Sequence, residues 1–219
     1  RLECLLSKPG EDSGLMEWKP DRAGFDRYLE DTIVVDWQTP SVLECAREFG
    51  RGAELERVEA AFLFVRDEIR QSLDGGPDDL PCSASQVLKA QTGLSYAKSH
   101  LLAALLRAGG VPSGFGYQRI VDSETSVGYA LHGFVVCWFS SAERWVGLDP
   151  RGNTATLQTE FRVEGPPSLA HEPDPENGRA VSSVFFARPL KYVVDLLDRG
   201  ESLGRVRRHL PSNIGAALS

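Results

Sequence analysis

The spacing of apolar residues changes along the chain, from a helical repeat in the first half to alternation in the second. From Val42 to Phe49, and again from Glu54 to Ser72, apolar side chains recur at intervals of three and four. This spacing places them on one face of a helix and predicts an α-helix in each stretch. Glycines at positions 50 and 52 end the first helix, and Gly75-Gly76-Pro77 ends the second.

Two further helices are predicted between residues 83 and 108. Ser83 and Gln86 have the spacing of a capping box, which starts a short helix ending near Ala90. The second helix runs from about Ser95 to Ala108, and its leucines and alanines form a broad apolar stripe. A Gly-Gly pair and a proline follow it, as is typical of a helix end.

Beyond residue 112 the apolar residues alternate, which predicts strands. We predict strands at Gly114–Val121, Tyr129–Phe139 and Arg144–Leu148, with a hairpin turn at Ser140–Glu143. Helices followed by an antiparallel meander predict an α+β fold.

The two ends of the chain carry weaker patterns. Residues 1–36 mix charges, Pro and Gly with short apolar pieces, so we predict an extended arm ending in a strand at Thr32–Val35. Residues 165–180 are rich in Pro, Gly and Glu and predict a loop. A last strand is predicted at Val181–Phe186 and a last helix at Leu190–Arg199.

Composition narrows the classes of function. Of 219 residues, 42% are hydrophobic and 25% charged, which is ordinary for a globular protein. A formal charge of −7 speaks against a nucleic-acid-binding surface. No apolar run approaches the roughly 20 residues that span a bilayer, so we predict no membrane partner.

The cysteines and histidines show no metal-binding pattern. Cys4, Cys45, Cys82 and Cys137 lie far apart, which gives no CxxC motif, and the four histidines lack ligand spacing. We therefore expect free thiols, no metal and a cytoplasmic location. The chain begins at Arg1 and shows no signal peptide.

Three residues have positions that suit nucleophilic chemistry. Ser95 stands at the N-terminus of an apolar helix, where the dipole favours negative charge and free backbone N–H groups can stabilise an oxyanion. His132 lies in a predicted strand, and Asp149 ends the next strand across a hairpin. Neighbouring strands lie about 4.8 Å apart, so Asp149 can reach the imidazole and set its tautomer.

Each of these residues, taken alone, has a simpler explanation. Ser95 is a good helix N-cap, His132 suits a core position, and Asp149 before a proline suits a turn. The segment Gly93–Ala97 also approaches the Gly-x-Ser-x-Gly elbow of α/β-hydrolases. We reject that elbow because a helix and a turn precede it and the histidine comes before the aspartate.

Taken together, three segments resemble the core of the transglutaminase-like superfamily, which is related to the papain-fold cysteine proteases. Its members carry Gly-x-Cys before a Leu/Ala-rich helix, then Gly-Ile/Val-Pro, His-Ala/Gly in a strand, and Leu-Asp-Pro. Residues Gly93–Pro112, Leu131–Val136 and Trp145–Asn153 match in that order. The resemblance implies that the helix bearing residue 95 packs on an antiparallel sheet bearing His132 and Asp149.

The resemblance also implies acyl transfer without a cofactor. Residue 95 would form an acyl-enzyme, His132 would act as base and then acid, and Asp149 would orient it. We expect one domain over residues 1–219, divided into an arm (1–36), a catalytic core (83–153) and a C-terminal loop and helices (165–219).

Position 95 departs from the family pattern, because serine stands where cysteine is expected. A hydroxyl is far less acidic than a thiol and cannot form a resting thiolate–imidazolium pair. Ser95 is either an introduced replacement that inactivates the enzyme or a native residue of a serine-based or inactive protein. We favour the replacement because the rest of the site is intact.

The triad leaves the acyl acceptor open. The enzyme could be a peptidase or amidase, an amide-forming transglutaminase homologue, or a release enzyme. We favour the last, because the chain resembles small stand-alone family members that release carrier-bound thioesters by Dieckmann cyclisation, giving tetramate-type natural products. A catalytically inactive domain that binds a peptide or a carrier is the remaining alternative.

The partner would be an acyl carrier protein or a peptide-like substrate, and the oligomeric state stays open. Tyr96, Tyr117 and Gln118 are candidate substrate or oxyanion contacts, although ordinary helix and strand polarity explains them more simply. Acyl carriers are acidic, so docking needs a basic patch. The candidates are Lys98, Arg107 and the cluster Arg205–Arg208.

Overall fold

The computed structural model describes residues 16–74, 80–122, 124, 125 and 127–218. Helices come first and a three-stranded sheet follows, as the change of apolar period predicts. In chain order the elements are β1 (Lys19–Pro20), α1 (Pro40–Glu48), α2 (Glu54–Asp67), β2 (Arg70–Gln71), α3 (Ala84–Ala90), β3 (Thr92–Gly93), α4 (Ser95–Ala108), β4 (Ser113–Val121), β5 (Tyr129–Phe139), β6 (Arg144–Leu148), β7 (Val184–Phe185), α5 (Lys191–Asp198), α6 (Leu203–Arg208) and α7 (Ile214–Leu218).

The sheet has the order β4-β5-β6 and both of its pairings are antiparallel. The register sets His132 opposite Gln118 on β4, and Val135 opposite Leu148 on β6. Asp149 therefore leaves β6 beside the part of β5 that carries His132. The α+β fold predicted from the sequence is confirmed.

Helix α4 passes through the centre of the protein. Every residue from Ser95 to Arg107 is buried, because β5 covers one side of the helix and α1, α2 and α3 cover others. The mostly Leu and Ala composition makes this burial favourable. Ser83 and Gln86 form the predicted capping box at the start of α3.

Two local predictions in the first half are wrong. Thr32–Val35 forms no strand; the Thr32 hydroxyl instead accepts a hydrogen bond of 2.9 Å from the Val35 N–H in a bend. Helix α2 ends at Asp67 rather than Ser72, because the chain turns to form β2. This short strand pairs in parallel with β3, with Gln71 opposite Gly93.

The C-terminal region runs along the free edge of β4. Only Val184–Phe185 of the predicted last strand is regular, and it pairs in parallel with β1. Isolated bridges join Val181 to Gln118 and Phe186 to Phe115. Within the described ranges no helix is long and apolar enough to cross a membrane. Cys4 and the predicted helix end at 75–77 lie outside those ranges.

Candidate active site

Ser95 is the first residue of α4 and is 6% exposed. The N-cap is Leu94, so the simple explanation of Ser95 as a capping residue does not hold. The first N–H groups of a helix have no partner within it. The side chain at position 95 therefore stands beside backbone donors that suit a developing negative charge.

His132 and Asp149 form a buried hydrogen-bonded pair. The imidazole Nε2 lies 2.7 Å from Asp149 Oδ2, and the two residues are 3% and 0% exposed. Asp149 also accepts the backbone N–H groups of Ala170 at 2.8 Å and of Arg151 at 3.1 Å. Because Nε2 donates to the carboxylate, Nδ1 is the nitrogen left to accept a proton.

Two effects oppose each other at the Asp149 carboxyl group. Burial raises its pKa, whereas the charge and hydrogen bond of His132 and the two backbone N–H donors lower it. The charge and the hydrogen bonds together outweigh the effect of burial, so the pKa of Asp149 lies below its usual value. The carboxylate is thus ionised at neutral pH and can stabilise a protonated His132.

Ser95 and His132 line the same cavity, which has a volume of about 360 Å³. Asp149 lies behind His132, away from the cavity. Half of the lining residues are apolar, and the other half are polar or charged. The apolar residues are Leu73, Leu94, Ile120, Val121, Ala130, Leu131, Leu157 and Leu210, and the others are Gln71, Ser95, Tyr96, Asp122, His132, Arg151, His171 and Arg207.

The three predicted substrate contacts lie in different surroundings. Tyr96 lines the cavity, and its hydroxyl donates to the carbonyl of Leu131. Tyr117 is buried outside the cavity lining, and its hydroxyl accepts the Leu190 N–H at 3.0 Å. Gln118 is fully buried and donates from Nε2 to the carbonyl of His171 at 2.6 Å. Tyr117 and Gln118 therefore support the walls of the cavity.

Residues 44–150 match the sequence profile of the transglutaminase-like superfamily. This chain carries a transglutaminase-like core. The matched range includes Ser95, His132 and Asp149, and the fold around them agrees with the family. A search of curated proteins gave no match.

Solved structures of two other proteins align with parts of this chain. A proposed cysteine protease from Cytophaga hutchinsonii aligns over 76% of this chain and 50% of its own, with 15% identity and a TM-score of 0.48. The periplasmic domain of TgpA from Pseudomonas aeruginosa aligns over 57% of this chain and 46% of its own, with 19% identity and a TM-score of 0.43. The chain thus spans about half the length of these structures.

Two cavity residues of the transglutaminase-like core were not found from the sequence. The ring of His171 lies 5.5 Å from that of His132, centroid to centroid, and burial lowers the pKa of His171 to about 4. Gln71 is 6% exposed, and no described residue bonds its side-chain oxygen. An unpaired buried polar group costs about 1–3 kcal/mol. Neither residue belongs to a recognisable motif.

Lys98 and Arg107 are buried, so the prediction that they form a docking patch is wrong. The Lys98 ammonium donates to the carbonyls of Ile69 at 2.6 Å, Arg151 at 2.8 Å and Arg66 at 3.2 Å. Burial lowers the pKa of Lys98 to about 7, although the nearby charge of Asp149 opposes this. Arg107 is 2% exposed and likewise donates to backbone carbonyls.

The polar residues of the site form no metal centre within the described ranges, where no three His, Cys, Asp or Glu side chains cluster closely enough. Cys45, Cys82 and Cys137 are free and buried. Burial raises the pKa of the Cys45 thiol to about 11, which leaves it protonated at neutral pH. The surroundings of the described cysteines therefore do not suit a nucleophile.

Proposed function

We propose that this chain is an acyl-transfer enzyme that forms an acyl-enzyme at position 95. One observation carries the proposal: His132, whose Nε2 lies 2.7 Å from Asp149 Oδ2, lines the same cavity as the side chain of Ser95 at the start of a buried helix. Such a combination of base, orienting carboxylate and nucleophile at a helix N-terminus supports nucleophilic catalysis.

The reaction takes two steps. His132 Nδ1 removes the proton of the nucleophile as its oxygen or sulfur bonds to the acyl carbon, and the leaving group departs with that proton. An acceptor then gives a proton to Nδ1 and attacks the acyl-enzyme, and the side chain of residue 95 leaves and takes the proton back. Asp149 stabilises the imidazolium in both steps.

In this site a cysteine at position 95 is expected to be a better nucleophile than a serine. A thiol is acidic enough for the neighbouring imidazole to hold it as a thiolate at rest, whereas a hydroxyl must lose its proton during the attack. The chain with Ser95 is therefore expected to be slow or inactive. This fits the view of Ser95 as a replacement for cysteine.

The substrate we propose is a carrier-bound thioester, released by Dieckmann cyclisation. The apolar half of the lining of a cavity of about 360 Å³ suits an acyl chain. Arg207 and Leu210 border this cavity, and Arg205 and Arg208 on the same helix are exposed. These positive charges suit an acidic carrier.

Two arginines of α6 already pair with carboxylates of this chain. Arg207 pairs with Asp122 at 2.9 Å, and Arg205 pairs with Glu201 at 3.1 Å. Exposed ion pairs such as Arg205–Glu201 contribute about 0–1 kcal/mol, so an acidic partner can replace Glu201 at little cost. The Arg207–Asp122 pair is bidentate and Asp122 is mostly buried, so we expect this pair to stay in place.

The test compares the parent chain, Ser95→Cys, and Ser95→Cys combined with His132→Ala. Each is incubated with a β-ketoacyl-aminoacyl thioester and with an unrelated peptide, and intact mass and small products are recorded. An adduct on Cys at position 95 with a cyclised product, and neither in the His132→Ala protein, is the expected result.

Other outcomes favour other functions. Peptide cleavage with an unreactive thioester would replace the release reaction with a peptidase, while leaving the acyl-enzyme in place. No adduct from either compound would refute acyl transfer and favour an inactive binding domain.

A further inference from the structure

A second histidine lies beside His132 in the catalytic cavity. The rings of His171 and His132 meet edge to face with their centroids 5.5 Å apart, and both residues line the cavity that holds the side chain of Ser95. His171 is half-buried. The proposed reaction uses His132 and leaves His171 without a role.

Backbone hydrogen bonds fix the segment that carries His171. Gln118 of β4 donates to the carbonyl of His171 at 2.6 Å. The neighbouring Ala170 N–H donates to Asp149, which follows β6, at 2.8 Å. The segment is therefore anchored to the sheet on both sides of β5, the strand that carries His132.

The ring nitrogens of His171 have no hydrogen-bond partner within the described ranges of the chain. Burial, with the nearby charge of His132, lowers the pKa of His171 to about 4. The charges of Arg151 and Arg179 act in the same direction, and that of Asp149 opposes them. At neutral pH the ring is therefore a neutral imidazole, with one N–H donor and one nitrogen acceptor.

Tyr96 and Arg207 line the same cavity, but their donors bind other groups of the protein. The Tyr96 hydroxyl donates to the carbonyl of Leu131. Arg207 holds Asp122 through two hydrogen bonds of 2.9 and 3.1 Å. The N–H of His171, in contrast, is available to a bound substrate.

A carbon acceptor has to be activated before it can attack an acyl-enzyme. The attacking carbon loses a proton, and the electron pair of the broken C–H bond spreads onto the neighbouring keto oxygen. A fixed N–H donor at this oxygen stabilises the developing enolate, and a neutral imidazole can serve as that donor. The keto oxygen lies two bonds from the proton-bearing carbon, so two adjacent imidazoles can contact the proton and the oxygen together.

We propose that His171 is a catalytic residue that donates a hydrogen bond to the keto oxygen beside the attacking carbon of the acyl group. His132 Nδ1 removes the proton of that carbon, and the enolate carbon bonds to the acyl carbon. The side chain of residue 95 then leaves and takes the proton from His132, while His171 keeps its own proton throughout. This inference rests on the proposed acyl transfer at position 95 and deepens it by naming the group that activates a carbon acceptor.

The test separates acylation from cyclisation in the Ser95→Cys protein. A β-ketoacyl-aminoacyl thioester reports both steps, and a matching acyl-aminoacyl thioester without the keto group reports acylation alone. Intact mass follows the adduct on residue 95 with time, and chromatography follows the cyclised product.

Four variants are made in that protein. His171→Phe removes both ring nitrogens and keeps an aromatic ring beside His132. His171→Asn and His171→Gln replace the imidazole with an amide that can still donate N–H. His209→Phe is the matched control, because His209 is exposed and does not line the cavity.

We expect His171→Phe to cyclise about 10²–10³-fold more slowly than its parent, which is the usual effect of losing one donor to a developing negative charge. Acylation by either thioester should change by less than about threefold, so the adduct on residue 95 accumulates. One of the two amide variants should recover at least about tenfold of the lost rate. His209→Phe should match its parent, and every melting temperature should stay within about 2 °C.

Failure of this inference differs from failure of the proposed function. If His171→Phe cyclises at the parent rate, if its acylation slows as much as its cyclisation, or if neither amide variant recovers rate, the role of His171 is refuted and acyl transfer stands. If Ser95→Cys forms an adduct but no ring, the carbon acceptor and the role of His171 fail together. If Ser95→Cys is not acylated at all, acyl transfer fails with them.

Discussion

Replacement of Asp149 by Asn tests the catalytic pair most directly, because the two side chains have the same shape. Asp149 is fully buried and accepts three hydrogen bonds, from His132 Nε2 and from the N–H groups of Ala170 and Arg151. Oδ2 receives two of these bonds and Oδ1 receives the third. An asparagine has one oxygen, so it cannot satisfy all three donors.

The stability cost follows from this geometry. If the Asn oxygen takes the place of Oδ2, its NH₂ group faces the Arg151 N–H, and one buried donor is left unpaired at about 1–3 kcal/mol. The two remaining bonds lose their charge assistance, which weakens each by roughly half. Relief of the burial of a charge offsets part of this. We expect the free energy of unfolding to fall by about 2–4 kcal/mol.

The catalytic cost comes from the tautomer of His132. The opposite amide orientation leaves the Ala170 N–H unpaired instead of the Arg151 N–H, so its stability cost is similar. In this orientation the Asn NH₂ group donates to Nε2 and moves the imidazole proton to Nδ1. An imidazole protonated at Nδ1 cannot accept a proton from residue 95. We expect acylation of the Ser95→Cys, Asp149→Asn protein to be about 10²–10⁴-fold slower than that of Ser95→Cys.

Urea unfolding and intact-mass acylation measure the two effects separately. Asp195→Asn is the matched control, because Asp195 lies exposed on α5 and pairs with Lys191 at 2.5 Å in an i,i+4 arrangement. That pair contributes about 0.3–0.5 kcal/mol. If the Asp149 and Asp195 variants lose equal stability, or if Asp149→Asn acylates at the parent rate, the account of the His132–Asp149 pair is wrong.

Three further changes test the packing around the site. Burial lowers the pKa of His100 to about 4, so the folded protein binds fewer protons than the unfolded one between pH 6.5 and 4. His100 should contribute about 3 kcal/mol to the fall in the free energy of unfolding as pH drops through that window, and His171 should add to the same fall. His100→Gln should therefore reduce this slope in urea titrations without abolishing it. Lys98→Met leaves three carbonyls without a donor and should lower the free energy of unfolding by about 2–4 kcal/mol. Gly116→Ala places a methyl group against the ring of Phe134 and should cost about 1–3 kcal/mol, measured by thermal melting.

Each of these three predictions has an outcome that would contradict it. Equal pH slopes in the parent and in His100→Gln would show that His100 is not buried as a neutral imidazole. A Lys98→Met protein as stable as its parent would mean that the ammonium does not hold these three carbonyls. An unchanged melting temperature in Gly116→Ala would mean that Phe134 does not pack on Gly116.

The sequence was sufficient for the parts of the fold with a strong and local pattern. Helix α4 begins at Ser95 and ends at Ala108 as predicted, and β5 and β6 have the predicted bounds. The hydrophobic period of each element sets these limits, and neighbours in the fold do not change them. The order of the serine, histidine and aspartate segments also sufficed to indicate a transglutaminase-like core.

The sequence did not predict elements that depend on pairing with residues distant along the chain. Strand β2 consists of two residues and exists because β3 pairs with it, so the periodicity of α2 appeared to continue to Ser72. Strand β7 likewise depends on β1. Lys98 and Arg107 look like surface cations in the sequence, but backbone carbonyls from distant parts of the chain satisfy them in the interior.

The sequence by itself determined the fold class, the central helix and the candidate triad, because apolar period and motif order are properties of the chain in one dimension. Only the tertiary structure decided which polar groups face the nucleophile. Gln71 and His171 reach the cavity through strand pairing and loop packing across long sequence separations. Hydrogen-bond satisfaction depends on distances between atoms in space, and these distances exist only once the chain has folded.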